Sequence, residues 1–148
     1  MNLEQFKELF NPLPGNHYLQ VCTSEDDVTS LLASLIDRVD GKFNIALYNE
    51  NNLTFNQPFR ARPRDHDMVV IKDVFFKHTN KEMLLKLAYL TLANTANIII
   101  IEKKGLLEVE ATIRMLEKFE FRAPNKIDII DGYDLVIGKK MHMWGAGL

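Results

Sequence analysis

Two almost uninterrupted apolar runs constrain the fold of this chain more than any other feature. They read MVVIKDVFF at residues 68–76 and NIIIIE at residues 97–102. A strand that is apolar at successive positions needs cover on both faces, as in a parallel sheet with helices on either side. The sequence therefore predicts that these two strands lie at the centre of such a sheet.

Amphipathic segments alternate with strand-like runs along the chain. The predicted strands are residues 17–22, 43–49, 68–76, 97–102, 126–130 and 133–141, and the predicted helices are residues 2–10, 28–39, 79–95 and 106–119. Strands that are joined through helices run parallel by right-handed crossovers. Asp131-Gly132 lies between the last two strands and is a strong hairpin signal, so we expect these two strands to be antiparallel.

Two of the predicted helices begin with capping signals. Ser24, followed three residues later by Asp27, predicts a capping box in which Asp stands where Glu or Gln is usual. Thr79 or Asn80 is expected to cap the third helix. The stretch VCTSEDD, residues 21–27, is therefore the turn that leads from the first strand into the second helix.

The elements together predict one α/β domain with three α/β/α layers. Its sheet is expected to be doubly wound, Rossmann-like and mostly parallel, with a C-terminal antiparallel hairpin. The 148 residues fit a single domain. Residues 1–14 are expected to form an N-terminal helix and linker, and residues 142–148 a tail.

Composition disfavours several classes of function. The net charge of −2 and pI near 6.1 give no general attraction to polyanions, so a nucleic-acid partner is not expected. Cys22 is the single cysteine, which excludes an intrachain disulfide and fits a reducing compartment. No apolar run approaches the ~18 residues of a membrane span, and residues 1–10 lack the apolar core of a secretory signal. We therefore expect a cytoplasmic protein without a membrane partner.

Two long stretches resemble the class I S-adenosylmethionine-dependent methyltransferases. Residues 67–104, DMVVIKDVFFKHTNKEMLLKLAYLTLANTANIIIIEKK, are similar to the family's fourth strand, the helix after it and the fifth strand. Residues 115–140, MLEKFEFRAPNKIDIIDGYDLVIGKK, are similar to its last helix and closing hairpin, with Glu120-Phe121 where the family often has Gly-Phe. The resemblance covers about residues 17–141 and rests on the order of the pieces.

The resemblance also implies where a cofactor would bind. In the family a glycine-rich turn follows the first strand, because glycine lets the backbone approach the cofactor closely. Residues 22–27 contain no glycine, so this loop is degenerate here. The family's ribose-binding acid would fall at Asn49 or Glu50, and the helix expected after the second strand is missing. The cofactor-binding candidates implied in this way are Cys22, Thr23, Ser24, Asn49, Glu50, Asp73, Phe75 and His78.

The residues themselves leave the chemistry of these candidates open. Cys22 beside a helix N-terminus could be reactive, but the neighbouring acids favour a buried, inert thiol. Asp73 and His78 could form an acid–base pair, although a capping or solvated histidine is the simpler interpretation. His17, His66 and His142 are scattered in the sequence without an HxH or HExxH pattern, so no metal site is predicted.

One basic cluster lies in the irregular region of residues 49–67. Arg60, Arg62 and Arg64 would share one face of an extended segment, beside Phe59, and could bind an anion or stack on an RNA base. The acids that follow directly, Asp65 and Asp67, also fit a solvated sheet edge.

Three functions therefore stay open. The first is a methyltransferase-like domain without methyl-transfer activity and without a cofactor, which acts through a protein partner or as a homodimer. The second is a divergent S-adenosylmethionine-dependent enzyme of unknown substrate, and the third is an anion- or RNA-binding module that uses the arginines. Self-association is expected to involve apolar residues outside the core periodicity, namely Phe55, Phe59, Met141, Met143 and Trp144.

Overall fold

A computed structural model describes residues 1–49 and 61–141 of the chain. Its strands are β1 (His17–Cys22), β2 (Lys42–Leu47), β3 (His66–Lys72), β4 (Leu92–Lys103), β5 (Phe121–Ile127) and β6 (Tyr133–Lys140), and its helices are α1 (Glu4–Lys7), α2 (Asp27–Asp37), α3 (Lys81–Thr91) and α4 (Val109–Lys118). Within these residues the strands form one sheet in the order β2-β1-β3-β4-β6-β5. The first four strands are parallel, and β6 runs antiparallel to β4 and β5. The predicted fold class is confirmed.

Helices cover both faces of the sheet, as the apolar runs of β3 and β4 require. The first face packs against α1 and α2 through a buried cluster that includes Phe6, Leu32 and Ile99. The second face packs against α3 and α4 through a cluster that includes Leu84 and Leu116. Alternate residues of β4 enter the two clusters, which gives the predicted three layers.

Several elements are shorter than their sequence patterns predicted. The first helix is a single turn, Glu4–Lys7, and β3 ends at Lys72 rather than at residue 76. The backbone leaves the sheet at Asp73, which has a φ of 61°. The third helix ends at Thr91 and passes directly into β4 at Leu92, so residues 92–95 are strand where helix was predicted.

A buried lysine accompanies this direct passage from helix into strand. Lys140 donates hydrogen bonds of 2.7 Å to the carbonyls of Tyr89 and Leu92. These contacts satisfy main-chain acceptors at the C-terminal end of α3, where a lysine can substitute for a glycine cap.

The N-terminus of α2 carries a capping box two residues later than predicted. Asp26 Oδ1 accepts from the backbone N–H groups of Val28 and Thr29 at 2.9 and 3.3 Å. The hydroxyl of Thr29 accepts from the N–H of Asp26 at 3.0 Å. The prediction of Ser24 and Asp27 as the capping pair was wrong, whereas the predicted cap of α3 by Asn80 is confirmed.

The predicted antiparallel hairpin is present, but its first strand lies earlier in the chain than the predicted residues 126–130. Its strands pair as far as Ile127 with Leu135, and β5 already begins at Phe121. Gly132, at a φ of 83°, lies in the turn between them. Among the described residues, no helix is long and apolar enough to cross a membrane.

Candidate functional site

The sheet topology places the candidate site at the carboxyl ends of β1 and β3. The chain passes from β1 to β2 on one side and returns to β3 on the other side of β1. Ligands of open α/β sheets bind in the crevice outside the carboxyl ends of the strands at such a reversal of strand order. Cys22 and Lys72, the last residues of β1 and β3, are neighbours in the parallel register and mark this position.

A buried ion-pair cluster, the switch-point cluster of Asp26, Lys72 and Asp73, occupies this position. Lys72 Nζ lies 2.7 Å from Asp26 Oδ2 and 2.7 Å from Asp73 Oδ2, and the lysine side chain is only 3% exposed. The ammonium also lies 4.9 Å from the centroid of the Tyr133 ring. The cluster therefore links the N-terminus of α2 to the end of β3.

The protonation state of Lys72 follows from two opposing effects. Burial alone would lower the pKa of the ammonium, but the hydrogen bonds to the carboxylates of Asp26 and Asp73 reverse the effect and raise the pKa. Lys72 is therefore charged at neutral pH. The N–H groups of Lys72 that hydrogen-bond to these carboxylates are not available to bind a ligand.

Asp26 stands in the turn that the family fills with glycine. One carboxylate oxygen accepts from two backbone N–H groups of α2 and the other accepts from Lys72. The N-terminus of a helix binds anionic groups through such N–H groups. Because a side chain of the protein already satisfies them, the site has little capacity left for a ligand carboxylate or phosphate.

Cys22 is the buried, inert thiol that the neighbouring acids favoured. It is 1% exposed, and burial, followed by the carboxylates of Asp26 and Glu25, raises the pKa of the thiol to about 11. The thiol is therefore protonated at neutral pH and is a poor nucleophile. Thr23 is half-buried and Ser24 exposed in the turn that follows.

Two buried polar side chains lie next to each other on the α3 face of the sheet. The rings of Tyr48 and His78 are 5.9 Å apart, and the two residues are 2% and 1% exposed. His78 Nδ1 accepts from the backbone N–H of Asn80 at 2.8 Å. Within the described ranges, His78 Nε2 and the Tyr48 hydroxyl have no hydrogen-bond partner. Most buried polar side chains in proteins have a hydrogen-bond partner, so these two groups are candidates for contact with a ligand.

The structure distinguishes the two simpler interpretations of His78. The side chain is buried and therefore not solvated, and its ring accepts from the backbone N–H of Asn80 at the start of α3, as a capping histidine does. Burial, aided by the nearby Lys81 ammonium, lowers the pKa of the imidazole. The proposed acid–base pair with Asp73 does not form, because the Asp73 carboxylate bonds to Lys72 instead.

Glu102 is a buried acid at this edge that the sequence did not single out. It is 1% exposed, and its Oε2 accepts from the backbone N–H of Phe76 at 3.0 Å. Burial raises the pKa of this carboxyl, against the lowering effect of that hydrogen bond. In the sequence, Glu102 stands directly after four isoleucines. An acid in this place is also typical of an ordinary strand end, so one sequence alone does not identify it as a site residue.

An apolar groove lies between the β3–α3 connection and the start of α4. Its volume is about 230 Å³, and its apolar lining consists of Phe75, Phe76, Leu107, Ala111 and Met115. Phe76 is 45% exposed at the rim, while Phe75 is buried. Of the sequence-predicted cleft residues, only Phe75 lines this groove.

The remaining predicted site residues are divided between the two edges of the sheet and the part of the chain that the structure does not describe. Asn49 is exposed two residues beyond β2, and Glu50 and Arg60 lie outside the described residues. Arg62 lines a different cavity at the amino ends of β1 and β3. Residues 63 and 64 form a turn, and Arg64 has a φ of 53°, so the predicted extended alternation of the arginines was wrong there.

Two histidines that looked scattered in the sequence meet at the same amino edge. The ring centroids of His17 and His66 are 4.1 Å apart, because these residues begin the adjacent parallel strands β1 and β3. Burial, together with the charge of His17, lowers the pKa of His66 to about 4. His142 lies outside the described residues.

Comparison with solved structures identifies the class of fold. An S-adenosylmethionine-dependent methyltransferase from Aquifex aeolicus matches with a TM-score of 0.67 over 92% of this chain and 88% of its own, at 13% identity. One from Archaeoglobus fulgidus gives 0.67 over 93% and 91%, at 14% identity. Haemonchus contortus phosphoethanolamine N-methyltransferase 2 in complex with S-adenosyl-L-methionine gives 0.71 at 8% identity over 93% of this chain but 51% of its own, so this chain spans about half of that protein.

The fold is therefore that of the class I S-adenosylmethionine-dependent methyltransferases, as the sequence resemblance implied. Searches against protein-family models and against curated proteins find no match. At these identities the likeness establishes architecture, and the function must be argued from the site.

Proposed function

We propose that this chain is a methyltransferase-fold domain that works by binding a protein partner or a second copy of itself, without S-adenosylmethionine. The observation that carries the proposal is the switch-point cluster. Lys72, Asp26 and Asp73 occupy the carboxyl ends of β1 and β3. Open α/β sheets bind their ligands in the crevice at this position.

The cofactor's own chemistry supports this conclusion. Its methionine part presents a carboxylate and an ammonium, which require free donors and acceptors and a backbone that can be approached closely. In this chain the donors of Lys72 and the carboxylates of Asp26 and Asp73 bond to one another. Binding of the cofactor would have to disrupt a buried ion pair. The free energy gained from the new contacts would have to exceed the free energy lost with that pair.

The alternative is a divergent cofactor site, and one observation favours it. The Tyr48 hydroxyl and His78 Nε2 are buried without hydrogen-bond partners within residues 1–49 and 61–141. A ligand that entered the α3 face of the carboxyl edge could satisfy both groups. Binding of S-adenosylmethionine would establish this alternative, and its absence would support the proposal.

The apolar groove is the surface that we assign to the partner. Phe76 at its rim is 45% exposed, and Leu106, next to the lining residue Leu107, is 38% exposed. Exposed apolar residues that border an apolar cavity often mark a contact surface. The earlier candidates Phe55, Phe59, Met143 and Trp144 lie outside the described residues, and Met141 is 43% exposed.

Sizing by multi-angle light scattering tests the self-association form of the proposal. We expect the wild-type chain to shift toward a dimer as its concentration rises, and Phe76→Ser to stay monomeric because it removes the exposed ring from the groove. Leu13→Ser is the matched control, since Leu13 is 57% exposed and does not line the groove. A wild-type chain that is monomeric at every concentration would exclude the homodimer, and an equal loss of dimer in both variants would remove the groove from the interface.

A further inference from the structure

A second group of chemically active side chains lies at the edge of the sheet opposite the switch point. His17 begins β1 and His66 begins β3, and Asp65 directly precedes β3. One potential ligand atom from each of these three side chains lies within 4.8 Å of the other two. We call this group, His17, Asp65 and His66, the amino-edge cluster.

His66 has a contact at each ring nitrogen, and a metal would have to replace the long contact between Asn44 and Nε2. Nδ1 lies 2.7 Å from the buried hydroxyl of Thr91, and Asn44 Nδ2 lies 3.4 Å from Nε2. An amide nitrogen can only donate, so Nε2 is the acceptor and Nδ1 donates its proton to Thr91. A metal-binding histidine is oriented in this way, with its second nitrogen donating to a fixed oxygen.

Both ring nitrogens of His17 are candidates for the metal ligand atom. Its Nε2 is buried and has no hydrogen-bond partner among the described residues. Its Nδ1 lies 3.7 Å from Asp65 Oδ1, which is longer than a hydrogen bond. Its backbone N–H donates to Asp67 Oδ2 at 2.8 Å, which fixes the start of β1.

We propose that His17, Asp65 and His66 form a binding site for a divalent transition-metal ion, and that zinc is the ion it takes. Two imidazoles and one carboxylate are a usual three-ligand set for zinc and leave one position open. With bonds of about 2.0–2.2 Å, tetrahedral ligands lie about 3.3–3.6 Å apart. The longest distance in the cluster would therefore shorten by about 1.2–1.5 Å, which side-chain rotation of His17 and Asp65 can supply, since these side chains are 15% and 37% exposed.

The open position would face a cavity of about 350 Å³. Besides the two histidines and Asp65, this cavity is lined by Lys42, Asn44 and Arg62. The two cations oppose an incoming metal ion, while Asp65 and Asp67 offset them. The same cations would favour an anionic fourth ligand on the bound metal, such as a carboxylate or phosphate group.

Zinc titration of the full chain, after treatment with a chelator, tests the site. We expect one equivalent of zinc to bind in calorimetry and to raise the melting temperature, and cobalt(II) to give the visible absorption bands of a tetrahedral site. His17→Gln and Asp65→Asn should each weaken zinc binding by about tenfold or more. Asp37→Asn, a change at an exposed carboxylate at the end of α2, should leave zinc binding unchanged.

Three results would overturn the proposal. One is a correctly folded wild-type chain that binds neither zinc nor cobalt, and another is zinc binding that both cluster variants retain in full. The third is binding of inorganic phosphate in place of zinc, lost on Arg62→Gln, which would make the cavity an anion site. Thermal unfolding of each variant without metal shows that a loss of binding is not a loss of fold.

Discussion

At the scale of single residues, the carboxyl edge of the sheet contains a buried acid with one hydrogen bond to the main chain. Glu102 lies near the end of β4, directly after its four buried isoleucines, and accepts from the N–H of Phe76. It thereby ties the β3–α3 connection, and with it the rim of the apolar groove, to the end of β4. Its raised pKa shows that desolvation outweighs this hydrogen bond.

Glu102→Gln is expected to remove a pH-dependent loss of stability. The pKa of Glu102 is higher in the folded than in the unfolded chain, so between these values the folded chain binds more protons and its free energy of unfolding falls as pH rises. The glutamine keeps an acceptor for the Phe76 N–H but carries no charge. In denaturant titrations, the free energy of unfolding of the variant should therefore increase relative to that of the wild type as the pH rises from 4 to 7.

Glu117→Gln is the control for this pH dependence, because Glu117 is exposed on α4. It should follow the wild-type curve. If Glu102→Gln also follows the wild-type curve, Glu102 is not a desolvated carboxylate.

Prediction from sequence succeeded for residues with local partners and failed for residues with distant ones. The Asn80 cap and the burial of Cys22 follow from neighbours in the chain. Lys72 bonds to Asp26, which is distant in sequence, and the apolar pattern placed it inside a strand that was predicted to continue to residue 76. His17 and His66 meet only through the pairing of β1 with β3, which no spacing in the sequence reveals.

At the scale of elements, the switch-point cluster fastens the N-terminus of α2 to the end of β3. Asp26 serves both as the cap of the helix and as an ion-pair partner of Lys72. One substitution can therefore disturb a helix end and a strand end together. Removing one partner of a buried ion pair leaves the other charge uncompensated, which is more costly than never having formed the pair.

Lys72→Met is expected to lower the free energy of unfolding by about 2 kcal/mol, below the usual 3–5 kcal/mol for a fully buried pair. The smaller value follows because the Asp26 and Asp73 side chains are each 25% exposed and can recover water. Lys103→Met, at an exposed position of β4, is the matched control and should change stability by less than about 0.5 kcal/mol. Equal stability of Lys72→Met and wild type in urea would show that the cluster does not hold α2 to the sheet.

The order and type of the elements could be predicted better than their ends. Apolar periodicity identified the α/β order, and Asp131-Gly132 identified the closing hairpin, because both are local patterns. The ends of β3 and α3 depend on a left-handed residue at Asp73 and on the contacts of Lys140. Those contacts link residues far apart in sequence, so no local pattern contains them.

At the scale of the whole molecule, the chain combines a methyltransferase fold with a buried ion-pair cluster at the carboxyl ends of β1 and β3. The sheet and its reversed last strand match solved methyltransferases over most of the chain. The turn after β1 has no glycine, and Asp26 in that turn bonds to Lys72. A fold is compatible with many functions, so these residues carry more weight than the architecture.

Calorimetric titration with S-adenosylmethionine and S-adenosylhomocysteine, paired with thermal unfolding in the presence of each, tests the central claim most directly. We predict no saturable heat and no change in melting temperature up to millimolar ligand, because Lys72, Asp26 and Asp73 satisfy one another at the switch point. Saturable micromolar binding, with a rise in melting temperature of about 5–10 °C at millimolar ligand, would contradict the account and establish a divergent cofactor site.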